Sequence, residues 1–239
     1  MGKLGFFYHE DYLSHLVPDG HPENILRLYS VLSSIKSQKF SNIEFIKPPL
    51  ATDKTILLGH SQSYLHSLYD LSPTSAIISL DQDTFMSPGT MNAAKRGVGA
   101  ITAAIDYVIS QKIENAFCAV RPPGHHAEKD TAMGFCFLNS VGIGAIYALS
   151  QKSIGKVAVV DFDIHHGNGT QDFLLNRPNC LFISIHQKML FPNTGYEKET
   201  GVKDNILNIP VSPLSDSADL RNVFDKKVVP KLESFRPDL

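Results

Sequence analysis

The sequence predicts an α/β fold built on an open, mainly parallel sheet with helices on both faces. Short β-branched and aromatic runs alternate with longer stretches of helical period, the signature of βα units. The inner runs are continuously apolar, as strands covered on both faces must be. Polar segments follow the carboxyl ends of these runs, where open α/β sheets place their sites.

In chain order, strands are expected at residues 4–8, 43–46, 116–120, 157–162, 180–185 and 206–209. Helices are expected at 22–37, 61–71, 89–110, 138–150, 170–176 and 219–235. The helix at 89–110 carries Ala93, Ala94, Gly97, Gly99, Ala100, Ala103 and Ala104, small residues that let it lie close against a sheet. The stretches 122–134 and 186–205 are long, polar and rich in Gly and Pro, and long loops in compact domains are often functional. No repeat, linker or composition break divides the chain, so one domain over residues 1–239 is expected. Its last residues, Arg236-Pro237-Asp238-Leu239, read as a helix end followed by the opening of another strand.

With 239 residues, 43% of them hydrophobic, the chain can bury a substantial core. A net charge of −2, from 22 basic and 24 acidic residues spread along the sequence, argues against binding to a nucleic-acid backbone. Cys118, Cys136 and Cys180 lie in apolar surroundings without CxxC spacing and read as reduced core thiols. The N-terminus lacks an apolar signal region, and no apolar run reaches membrane-spanning length. The expectation is a soluble, cytoplasmic protein with no membrane partner, and nothing in the composition conflicts with an oligomer.

Two segments carry chemistry. In Asp161-Phe162-Asp163-Ile164-His165-His166-Gly167-Asn168-Gly169-Thr170 an apolar strand delivers carboxylates and imidazoles before a glycine-rich turn. If the strand alternation continues, Asp161, Asp163 and His165 point to one side, so a carboxylate and an imidazole can reach one cation while a third group supports them. Imidazole in the set favours zinc or iron over magnesium. The plainer alternative has the aspartates capping the following helix and the histidines at the surface.

The second segment, Arg121-Pro122-Pro123-Gly124-His125-His126-Ala127, also follows an apolar strand, and its prolines stiffen the turn that presents the histidines. One imidazole can move a proton between water and a leaving amine while its neighbour orients it or stabilises charge. Taken alone, the pair fits ordinary loop histidines as well.

RPPGHHA at 121–127, GFCFLN at 134–139, VVDFDIHHGNGTQ at 159–171, ISIHQ at 183–187 and the LFPNTG and ETG pieces after it occur in one order. Together with HPENILRL at 21–28 and DTFMSPGT at 83–90, they resemble the histone deacetylase and acetylpolyamine amidohydrolase superfamily over nearly the whole chain. HPE and the Asn after HHG look most like class II deacetylases and their bacterial relatives.

The resemblance implies an arginase/deacetylase-like three-layer α/β/α arrangement and a zinc-dependent amide hydrolase acting on acetyl-lysine in proteins or peptides. An acetylpolyamine or other small acetyl-amide is the alternative substrate, and a non-catalytic acyl-lysine binding module the alternative role. It makes Asp163 and His165 two of three zinc ligands, His126 the general base and acid, and His125 its electrostatic partner. Asp161 and Asn168 would support the two histidines. Gly134, Phe135 and Phe191 would shape the acyl-lysine channel, with ordinary core packing the alternative for the two rings. The family further implies potassium held near Asp161, Asp163, His165 and Ser184, and an arginine at the position of Arg27 lining a product cavity. For Ser184 and Arg27 a merely structural part fits equally.

Two family elements are expected after Leu239, where the strand opened by Pro237-Asp238-Leu239 would lead. One is the Gly-Phe-Asp that gives the third zinc ligand; the other is the Tyr, or in some class II members the His, that polarises the scissile carbonyl. The chain by itself is therefore expected to be inactive or weakly active. Smaller departures are Ile25, where the family usually has Pro, and Asn193, where it usually has Gly.

Overall fold

The computed structural model describes residues 2–37 and 42–239, which pack as two compact units, one ending at Gly144 and the other starting at Ala145. The first unit runs β1 (Leu4–Phe7), α1 (Leu26–Ser37), β2 (Ile43–Ile46), α2 (Asp53–Ile56), α3 (Gln62–Leu71), β3 (Ile78–Ser79), β4 (Phe85–Met86), α4 (Thr90–Ile109) and β5 (Asn115–Cys118). The boundary falls inside α5 (Ser140–Leu149).

β1 lies between β2 and β5 in a parallel sheet. Successive side chains of a strand point to opposite faces, and both faces of β1 are covered. Phe6 packs with Tyr12, Leu28 of α1 and Ala93. Phe7 packs with Ala100 and Ala104 of α4 and with Ile113. The small residues of α4 serve the close approach expected of them: a side chain at Gly99 would collide with the Pro49 carbonyl. Thr52 and Ser61 cap α2 and α3 by accepting from Thr55 and Tyr64 N–H groups.

The second unit runs β6 (Val157–Asp161), α6 (Asn168–Leu174), β7 (Cys180–Gln187), β8 (Ile206–Val211), α7 (Ser217–Val223) and α8 (Val229–Phe235). The three strands form a second parallel sheet in the order β6-β7-β8. The central strand is buried from Cys180 to His186, and Leu181, Ile183 and Ile185 pack with Ile209 and Val228. The expected single helix at 219–235 is instead α7, a π turn at Phe224–Val228, and α8. Pro230 explains the break, because it has no N–H to donate to the preceding turn and its ring crowds it.

After α8, Asp238 N–H donates to the Lys156 carbonyl (2.8 Å) and the Leu239 carbonyl accepts from Ala158 N–H (2.9 Å), so the last residues lie along β6. Among the described residues no helix is long and apolar enough to cross a membrane.

Candidate active site

The register of the second sheet sets Asp161, the last residue of β6, beside Ser184 of β7. The strand ends there, so the expected strand alternation through His165 does not occur. Two consecutive side-chain turns replace it: Asp161 Oδ1 accepts Asp163 N–H (3.1 Å), and Asp163 Oδ1 accepts His165 N–H (2.9 Å). Phe162 and Ile164 are turned outward, 76% and 56% exposed. The three chemical residues are thus brought together by carboxylate-to-backbone bonds rather than by pleating. Neither aspartate caps α6, whose start at Gly167 has no side-chain cap. A side chain at Gly167 would meet the Asp161 carboxylate, which would have to move aside.

Asp163 Oδ1 and His165 Nδ1 stand 3.1 Å apart. Two ligands at about 2.0–2.1 Å on adjacent tetrahedral positions around zinc would be separated by about 3.3 Å, so this carboxylate and imidazole fit two positions of one zinc ion. Among the described residues no group of three or more His, Cys, Asp or Glu side chains is arranged to hold a metal.

Asn168 is buried at the first turn of α6 and donates its N–H to the His166 carbonyl (2.9 Å). No role for His166 is expected from the sequence, yet it anchors the loop after β7. Its Nδ1 is 2.8 Å from Thr194 Oγ1 and its Nε2 3.0 Å from Gln171 Oε1, while Gln171 Nε2 donates to Glu199 (2.7 Å). His186 is 3.0 Å from both Ser184 Oγ and the Gly195 carbonyl. Burial pushes His166 down to about 4 and His186 down as well, so both rings are neutral near pH 7.

Gly195, at φ 80°, lies between these rings, and a side-chain carbon there would be 2.5 Å from His166 Cδ2 and 2.7 Å from His186 Cε1. Gly195→Ala should therefore destabilise the protein by roughly 3 kcal/mol, the sum of backbone strain and overpacking, read from the shift of its denaturant midpoint. An unchanged midpoint would mean that the loop does not depend on this fit. Asn193 in the same loop has φ 62°, the left-handed region in which Asn is the usual substitute for Gly. Phe191, 40% exposed, meets the His165 ring edge-on at 6.1 Å and is not a core residue.

In the first unit β5 leads into the histidine loop. The rings of His125 and His126 lie 4.0 Å apart, and His126 is 4% exposed. The far end of the loop is held by Asn139, whose Nδ2 donates to the Ala127 carbonyl (3.1 Å) and whose N–H donates to His60 Nε2 (3.0 Å). His60 Nδ1 consequently carries the proton and donates to the Lys129 carbonyl (3.0 Å).

Gly134 and Phe135 both adopt positive φ, 55° and 69°. Phe135 is held there by Thr84, whose hydroxyl accepts its N–H (3.2 Å) and donates to Asp81 (3.0 Å). The His21 ring packs edge-on against Phe135 at 4.8 Å. Arg27 is half exposed and donates to the Val120 carbonyl (2.8 Å). The three cysteines are free; burial raises the thiols of Cys118 to about 12 and Cys180 to about 11, which keeps them unreactive.

The histone deacetylase domain model matches residues 21–239. A probable deacetylase of Archaeoglobus fulgidus is 34% identical over 239 residues, covering 98% of this chain and 66% of that protein. A histone deacetylase-like amidohydrolase of Pseudomonas aeruginosa is 35% identical over 223 residues, covering 91% of this chain and 58% of that protein. The chain thus spans less than two thirds of the length of either relative. The crystal structure of the HDA15 HD domain superposes with a TM-score of 0.92 at 28% identity, covering 99% of this chain and 70% of that one. With a family match over almost its whole length and a fold shared to this degree, the chain belongs to the histone deacetylase family of amide hydrolases.

Proposed function

We propose that the protein is a zinc-dependent deacetylase of acetyl-lysine in proteins or peptides. The observation that carries this reading is the Asp163 and His165 donor pair, 3.1 Å apart at the carboxyl end of β6, in a chain of the deacetylase family. Asp163 and His165 would hold the metal. Zinc, when bound, supplies Lewis acidity toward the amide carbonyl and the attacking water.

The remaining work falls to this chain's residues. His126 takes a proton from the attacking water and returns it to the departing lysine nitrogen, and its burial keeps bulk water from competing. His125 stabilises the charge that His126 acquires. By the family resemblance, Asp161 and Asn168 would support these histidines. Gly134, Phe135 and Phe191 admit the narrow acyl-lysine stem and exclude water around it. Asp161, Asp163, His165 and Ser184 would supply oxygens to a potassium ion, a reading supported by the Asp161–Ser184 register. Arg27 attracts the acetate product.

The full-length protein loaded with zinc should deacetylate acetyl-lysine peptides. Turnover of acetylpolyamines without turnover of peptides would replace the substrate assignment. Stoichiometric zinc without turnover of either would favour the acyl-lysine binding role.

A further inference from the structure

One buried ion pair stands at the entrance to the histidine loop. Arg121 is 1% exposed and Glu23 7%. Arg121 Nε donates to both Glu23 oxygens, at 2.8 and 3.0 Å, and its Nη1 donates to the carbonyls of Tyr12 (3.1 Å) and His15. His15 Nε2 lies 3.5 Å from Glu23 Oε2, and its Nδ1 is 2.7 Å from Thr90 Oγ1 at the start of α4. Arg27, bonded to the Val120 carbonyl just before Arg121, stands 3.9 Å from Glu23 Oε1. Burial alone would raise the Glu23 carboxyl, but the bonds from His15 and Arg121 outweigh it and hold it below its ordinary value.

Stability does not account for such a pair, because the loss of hydration offsets most of the attraction and apolar residues of similar volume do as well. What the pair adds is direction. A guanidinium held by two carboxylate oxygens and two carbonyls has a fixed plane. From Arg121 the chain reaches His125 through Pro122, Pro123 and Gly124, and prolines of fixed φ pass that placement on. Asn139 and His60 secure the other end of the loop.

We propose that Glu23 and Arg121 are positioning residues that fix the entrance of the histidine loop and thereby hold His126 in its working orientation. The inference rests on the reading of His126 as the general base.

The test uses the full-length protein with Glu23→Gln, Arg121→Lys and Glu23→Asp. Glu23→Gln and Arg121→Lys, which remove the carboxylate or the guanidinium fork, should lower kcat on an acetyl-lysine peptide by on the order of tenfold to a hundredfold while KM stays within about twofold. Glu23→Asp, which keeps a carboxylate, should restore most of the rate. Independently of turnover, carbethoxylation of His126 by diethyl pyrocarbonate, followed by peptide mass spectrometry, should speed up by about an order of magnitude, with the exposed His66 unchanged as reference.

A folded Glu23→Gln protein whose His126 reacts no faster overturns the proposal, whatever its kcat. If the parent protein shows no turnover, the functional reading fails while the labelling result still decides whether the ion pair holds the loop. If Glu23→Gln does not fold, Arg121→Lys carries the same two readouts and decides the question in the same way.

Discussion

Asp163→Asn and His165→Ala should each strip the full-length protein of stoichiometric zinc and reduce turnover of an acetyl-lysine peptide on the order of a thousandfold. The physical ground is the donor pair itself. At 3.1 Å the carboxylate and imidazole already have the spacing of neighbouring zinc ligands, held by the turn in which Asp163 accepts the His165 N–H. Removing one donor loses a ligand, while the Asn amide oxygen can still accept the His165 N–H, so Asp163→Asn tests the charged ligand and not the turn. Elemental analysis of dialysed protein beside a peptide assay separates the effects. A variant that keeps both its zinc and its rate would remove these residues from the metal set.

His126→Ala should leave zinc content intact and lower kcat by roughly 10²–10⁴-fold, the usual worth of a positioned acid or base. KM should change little, since proton transfer is needed in the transition state and not for binding. Asp163→Asn, by contrast, should lose metal and rate together, and the contrast is the diagnostic. If His126→Ala turns over at the parent rate, the shuttle belongs to another residue, His125 being the first to examine.

The elements most legible in the sequence were those whose residues determine them locally. Strands β6 and β7 coincide with the continuous apolar runs VAVV and CLFISI, and the long helix α4 with its regular period of small residues. Boundaries moved by one to four residues where the backbone turns to itself, as at Val120, whose N–H bonds the Cys118 carbonyl and ends β5 early. The β3–β4 hairpin and α2 are too short to show a period, with two residues per strand and four in the helix. The π turn before α8 was hidden because apolar spacing continues through Pro230.

At the candidate site, motifs carried the candidate residues but not the contacts that hold them. Asp163 and His165 come within 3.1 Å of one another through Asx-type turns that alternation does not foresee. Glu23 pairs with Arg121 across 98 positions and Thr84 holds Phe135 across 51, and no local pattern distinguishes a buried polar residue from an exposed one at such separations. The sequence assigns His186 no more than a structural part, and only its packing against His166 shows that the two close on one glycine.

That glycine constrains which substitutions this loop tolerates. Because the missing side chain of Gly195 is crowded by two rings at once, shrinking His166 or His186 alone still leaves one collision, and the positive φ remains a penalty. Substitutions at the three positions are therefore strongly epistatic: each is harmful on the background of the other two, and no sequence of neutral single steps exchanges them. The exposed residues around Phe191 carry no such constraint, so substitutions there leave the lock on the loop intact.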